Sequence, residues 1–218
     1  MLEKILATAV AASVITVLGA CSTTIPAVAP ASEPDNSAAE FVAALGDGQS
    51  WDFDPKISPA AALLSRDFVV TGQLADVVAG SNVFIDPAEK QHGGTGVPSV
   101  VLIVDIKRTL KAAHSFPNNR AYIEIPISGI ANVDRWLATT PNLQVAAMGK
   151  ASTIQPAQPT DELPADATRQ AARGDGLWLQ GPADATMLNP FATVDILPVL
   201  WEGADTVDEF GNVVAAAK

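Results

Sequence analysis

The residues able to do chemistry are few and widely spaced. The chain has one cysteine, Cys21, and two histidines, His92 and His114. Neither histidine has a second metal ligand at helical or strand spacing, so nothing points to a zinc site. Each reads as an exposed loop residue. No Gly-x-Ser-x-Gly elbow, Ser-x-x-Lys pair or His-Glu-x-x-His helix occurs. His92-Gly93-Gly94-Thr95-Gly96 offers backbone N–H groups to an anion, but a phosphate loop follows a strand and opens a helix. Here Val97-Pro98 and a strand come next, so the segment reads as a turn. Carboxylates are more numerous. Asp52 and Asp54 flank Phe53 and share one face of an extended segment, an arrangement used for glycosidic acid–base work or calcium. Asp205, Asp208 and Glu209 form a second acidic group without the Asp-x-Asp-x-Asp-Gly spacing of a calcium loop. Both groups read first as solvated acidic surface. The sequence thus nominates no catalytic residue, no cofactor and no metal.

What positions Cys21 is a distinct N-terminal segment. Lys4 precedes an apolar run from Ile5 to Leu18. Its fourteen residues would cover about 21 Å as a helix, short of the roughly 30 Å of a bilayer core. A short apolar run behind a positive residue reads as a signal peptide. The run ends Leu18-Gly19-Ala20-Cys21-Ser22, which resembles the lipobox of bacterial lipoproteins. That resemblance covers residues 1–22 only. It implies cleavage before Cys21, a diacylglycerol on its thiol and a further acyl chain such as palmitate on the new N-terminus. Two or more chains anchor far better than one. With the only cysteine so used, the mature chain has no internal disulfide.

The expected organisation is therefore a signal peptide over 1–20, a lipidated cysteine and flexible tether over 21–50, and a β-rich domain over 51–218. Pro26, Pro30 and Pro34 break any helix in the tether, although Ala38 to Leu45 suits a short helix with Ser37 as N-cap. Apolar residues are 48% of the chain and charged residues 17%, enough for a core. The net charge of −11 repels phosphate backbones and argues against a nucleic-acid partner.

Within the domain, Ser58-Pro59 signals an N-cap and proline-led helix start. Strands are expected at Phe68–Leu74, Ser99–Ile106, Ala121–Ile127, Leu143–Met148, Leu177–Leu179 and Thr193–Leu197. In the third, Ile123, Ile125 and Ile127 share one face, and Tyr122 and Glu124 the other. Asn132 to Thr139 reads as a helix carrying Trp136. Gly211-Asn212 suits a closing hairpin or a tail. Two long loops, Ile85–Pro98 and 151–176, interrupt the pattern, and few apolar residues in the second suggest mobility. The tryptophans at 51, 136, 178 and 201 read as packing residues. The order predicts a mainly β fold: a small antiparallel barrel or sandwich, similar to an OB-like barrel, with one or two short helices. The second resemblance, to small β-domains of uncharacterised bacterial lipoproteins, is one of pattern without a motif.

The function these features suggest is a non-catalytic lipoprotein, lipid-anchored at the extracytoplasmic face of a cell membrane and binding a protein or envelope component. Two alternatives are a small-ligand carrier with an apolar cavity and a carboxylate-dependent extracytoplasmic hydrolase.

Overall fold

Alternating apolar residues build most of the strands, and the two faces of such a strand enter different cores. The computed structural model describes residues 37–46, 58–83, 96–127, 134–138, 140–152, 163–164, 167–172, 174–191 and 201–218. In chain order the elements are α1 (Ser37–Gly46), α2 (Pro59–Ser65), β1 (Phe68–Ala79), β2 (Ser99–Ala112), β3 (Arg120–Pro126), α3 (Asp134–Ala138), β4 (Gln144–Ala151), β5 (Arg169–Ala171), β6 (Leu177–Gln180) and α4 (Val207–Ala216). All lie in one compact unit, Pro34–Lys218.

The strands run β1-β2-β3-β5-β4 and close back through β4–β1, with β6 added on β4. This is the OB-like barrel order, with α3 between β3 and β4. The ring is mixed rather than wholly antiparallel, because β3 and β5 are parallel. Closure requires β1 to serve two neighbours. Residues Phe68 to Gln73 pair with both β2 and β4, and beyond Leu74 the ladder partner is β2 alone. Register shifts at Val69/Val70, Thr71/Gly72 and Leu74/Asp76 let the strand curl. A Cβ at Gly72 would lie 2.3 Å from the Asp105 carbonyl oxygen, so the curl needs glycine there.

Inward residues fill the barrel. Phe68, Val70, Leu102, Val104, Ile123, Ile125, Val145 and Ala147 are completely buried in one cluster. With no accessible surface, these side chains line no space large enough for a water. Phe41 of α1 and Trp136 of α3 join this core edge-to-face, with ring centroids 5.1 Å apart. The helix expected inside the tether is therefore part of the folded unit, which starts upstream of Trp51.

The outward face of β1, β4 and β6 forms a second core. Val69, Ala146, Met148 and Trp178 pack with Trp201 and with Val207, Phe210 and Val214 of α4. Gly211 and Asn212 thus lie inside a helix, not in a hairpin. A capping box starts that helix: Thr206 Oγ1 accepts from Glu209 N, and the Glu209 side chain accepts from Thr206 N. Ser58 Oγ accepts from Ala61 N at 3.1 Å at the start of α2, as its sequence suggests.

The 151–176 segment departs most from expectation. It contains β5 and a 3-10 turn at Gly174–Gly176. Strand β5 bridges Tyr122–Glu124 of β3 and Lys150–Ala151 of β4, so the barrel closes through it. A Cβ at Gly149 would lie 2.0 Å from the Ala171 carbonyl oxygen, and that close approach of β4 to β5 depends on glycine. Candidate strand Thr193–Leu197 lies outside the described residues.

Candidate functional site

The outward face of β2 and β3 is built by their antiparallel register. Val101 stands opposite Glu124, Ile103 opposite Tyr122, and Asp105 opposite Arg120. Val78 of β1 extends the first row, opposite Val101, and Asp76 extends the second, opposite Ile103. Arg169 of β5 stands beside Tyr122. The face is apolar in the middle and charged at both ends. Val101, Ile103 and Tyr122 form a small separate core, with Ala75, Val78, Leu163 and Ala167 packed against it. Leu163 and Ala167 come from the long β4–β5 connection, and each is itself only half-buried.

At one end an ion pair is drawn into the protein. Arg169 Nη1 lies 2.5 Å from Glu124 Oε1, with side-chain exposures of 11% and 3%. Ser81, at the root of the β1–β2 loop, accepts through its hydroxyl from both terminal guanidinium nitrogens, Nη1 and Nη2, at 3.3–3.4 Å. Ser99 Oγ lies 2.5 Å from the Ser81 carbonyl oxygen and 3.1 Å from Glu124 Oε1, two acceptors for its single proton. Glu124 Oε2 is buried and has no hydrogen-bond partner among the described residues. A buried acceptor left without a donor is uncommon in a folded protein and forfeits on the order of 1–3 kcal/mol. At the other end Arg120 Nε donates to Asp105 Oδ1 at 2.8 Å, but both side chains are largely exposed and the pair adds little.

Glu124 faces an arginine and hydroxyls rather than a second carboxylate. Among the described residues, no group of three or more His, Cys, Asp or Glu is placed to hold a metal ion. Among the described residues a second buried ion pair, Arg66 Nη2 with Asp175 Oδ1, ties the end of α2 to the turn before β6. Asp175 also accepts through its carbonyl oxygen from Trp178 Nε1 at 2.9 Å.

Most sequence-nominated residues lie elsewhere. Cys21, Asp52, Asp54 and His92 fall outside the described residues. Asp205, Asp208 and Glu209 are exposed and gather at the start of α4, where acidic side chains complement the helix dipole. His114 is not the exposed loop residue expected. It is partly buried, its ring centroid 4.9 Å from that of Phe116 and 6.4 Å from that of Phe68. Its Nε2 lies 3.2 Å from Gln170 Nε2, while Gln170 Oε1 accepts from Tyr122 N at 2.7 Å. Trp136, Trp178 and Trp201 are buried packing residues.

Sequence reasoning placed Tyr122 and Glu124 on one face but did not identify Glu124 as a site residue. The available signal was a carboxylate inside a strongly β-forming run, Tyr-Ile-Glu-Ile-Pro. Arg169 gave no local signal. No helix among the described residues is long and apolar enough to cross a membrane. No protein-family model, curated protein or solved structure matches the chain.

Proposed function

We propose that the chain is a non-catalytic binding module, held at the extracytoplasmic face of a cell membrane by lipid on Cys21, that docks a protein or envelope component on the outer β2–β3 face. The observation that carries this reading is the apolar row Val101–Ile103–Tyr122 bounded by the buried Glu124–Arg169 pair. In OB-like barrels this face and the loops joining β1 to β2 and β4 to β5 are where ligands are taken. Both connections here are long. A central apolar strip with a polar margin is also the usual anatomy of a protein interface.

Charge narrows the partner. A net charge of −11 disfavours nucleic acid. Membrane attachment must then come from the lipid, because an acidic chain gains nothing from anionic head groups. The leader, the Leu18-Gly19-Ala20-Cys21 motif and the proline-rich Ser22–Ser37 stretch support a tethered arrangement.

Cross-linking in intact cells, comparing wild type with Cys21→Ser, tests the proposal. A specific partner captured by the anchored form, and lost on Tyr122→Ala without loss of folding, is the expected result. No partner for either form would refute it.

A further inference from the structure

The barrel closes through its shortest strand. Strand β5 pairs with β3 at three positions, Tyr122 to Glu124, and with β4 at two, Lys150 and Ala151. One side chain reinforces that seam. Gln170 is 1% exposed. Its Oε1 accepts from Tyr122 N at 2.7 Å, and its Nε2 donates to the Thr168 carbonyl oxygen. These two contacts fix which end of the amide is which, because the reversed amide would set donor against donor at Tyr122 and acceptor against acceptor at Thr168. Gln170 Nε2 also lies 3.2 Å from His114 Nε2. An amide nitrogen only donates, so His114 Nε2 is the acceptor. The ring is therefore neutral here, with its one proton on Nδ1.

The charged groups around His114 are engaged elsewhere. Among the described residues His114 makes no ion pair. The ring packs on Phe116 of its own loop and on Phe68 of β1. Asp67, just before Phe68, accepts through its carboxylate from Ala151 N at 3.2 Å. Arg169 of β5 faces away from Gln170 by strand alternation and pairs with Glu124. On β2, Lys111 Nζ donates to the Leu63 carbonyl oxygen. Arg120, where the loop enters β3, pairs with Asp105, and Lys150 of β4 is exposed.

We infer that His114 is an acid-released latch on β5. Protonation takes up the Nε2 lone pair that Gln170 uses and sets an N–H against the amide N–H. The contact breaks, and the hold of Gln170 on Tyr122 N weakens with it. Only the neutral ring is bound. The seam is therefore tight when His114 is neutral and loosens as pH falls through the range, about 5 to 8, in which histidine changes charge. The latch acts whatever the outer face binds.

Amide hydrogen exchange at Tyr122 reads the seam directly. It is followed by NMR in the full chain from about pH 7.5 to about pH 5.5, above the ordinary carboxylate range. Corrected for intrinsic exchange, wild-type protection at Tyr122 should fall about tenfold, the loss of roughly one hydrogen bond. Protection across the β1–β2 ladder should hold. In His114→Gln, whose side-chain oxygen accepts from Gln170 at any pH, Tyr122 protection should stay constant. The ring nitrogen shifts of wild-type His114 should show the Nδ1–H tautomer at neutral pH and titrate in step with Tyr122 protection. Constant wild-type protection would overturn the latch. So would an equal fall in His114→Gln, which would assign the response to His92 or a carboxylate. A parallel loss across β1 and β2 would make the event global unfolding and overturn it as well. An Nε2–H tautomer, or a Tyr122 response out of step with the ring, would overturn it even if the variant failed to fold.

Discussion

The barrel has two apolar outer faces, and they are covered in different ways. On β1, β4 and β6 the cover is a capped ten-residue helix together with Trp201, whose ring stacks on Phe210 at 5.2 Å and 19°. The covering residues Phe210 and Val214 are completely buried. On β2 and β3 the described cover is Leu163 and Ala167, two half-buried side chains from a connection between strands. The first face carries large side chains in mutual contact, which is how cores are made. The second ends in a buried ion pair, one carboxylate oxygen of which has no partner among the described residues. A face meant only for stability would be better served by apolar residues at those two positions, because a buried pair contributes little beyond its desolvation cost. The difference is between a face under a fully buried cover and one whose described cover is only partly buried.

Phe210→Ala breaks the comparison most severely. It removes a fully buried ring, and we expect a loss of about 3–5 kcal/mol in a denaturant titration, enough to unfold much of the population. Next comes Glu124→Ala. It removes the carboxylate from Arg169, whose side chain is 11% exposed and keeps the Ser81 hydroxyl, and about 3 kcal/mol should be lost. The paired replacement Glu124→Leu/Arg169→Met should recover most of that loss in the same titration. Failure to recover would mean that the pair is itself structural. Thr206→Ala removes the side-chain half of the capping box at α4, the hydroxyl that accepts from Glu209 N, while the backbone N–H of residue 206 can still donate to the Glu209 carboxylate; it should lower stability by about 1 kcal/mol, seen as a drop of several degrees in Tm. The smallest effect is expected from Leu163→Ala. Half-buried as it is, it should cost under about 1 kcal/mol in calorimetry. A cost equal to that of Phe210→Ala would erase the distinction between the two faces.

How far the fold could be read in advance depended on element length. Strand β2 has fourteen residues and β1 twelve, and their apolar runs announced them. Strand β5 has three residues, Arg169-Gln170-Ala171, too few to show any period, and it lies in a Pro-, Thr- and Asp-containing stretch. Its pairing with β3 is set by the curl of the barrel, not by local propensity. The Gly211-Asn212 pair misled because that dipeptide often marks a turn. The stronger signals were Thr206-x-x-Glu209 ahead of Val207, Phe210 and Val214, a capping box with helical spacing. The helix at Ser37–Gly46 was readable as a helix. Its place in the barrel core was not, because Ala38, Phe41 and Leu45 find their partners only in the assembled fold.

The sequence by itself determined the strand faces, the helix starts at Ser58 and Thr206 and the acidic character of the chain. It also provides the Leu18–Cys21 motif on which the anchoring proposal rests. These features depend on residues adjacent in the chain or separated by one helical turn or one strand alternation, so local pattern contains them. Only the tertiary structure decided that Glu124 meets Arg169 across 45 residues, that β5 closes the ring, and that Leu163 and Ala167 rest on Tyr122. Those contacts join segments with no shared periodicity. They exist because a bulged β1 curls the sheet until its far strands meet, and that closure brings residues without a local signal onto one face.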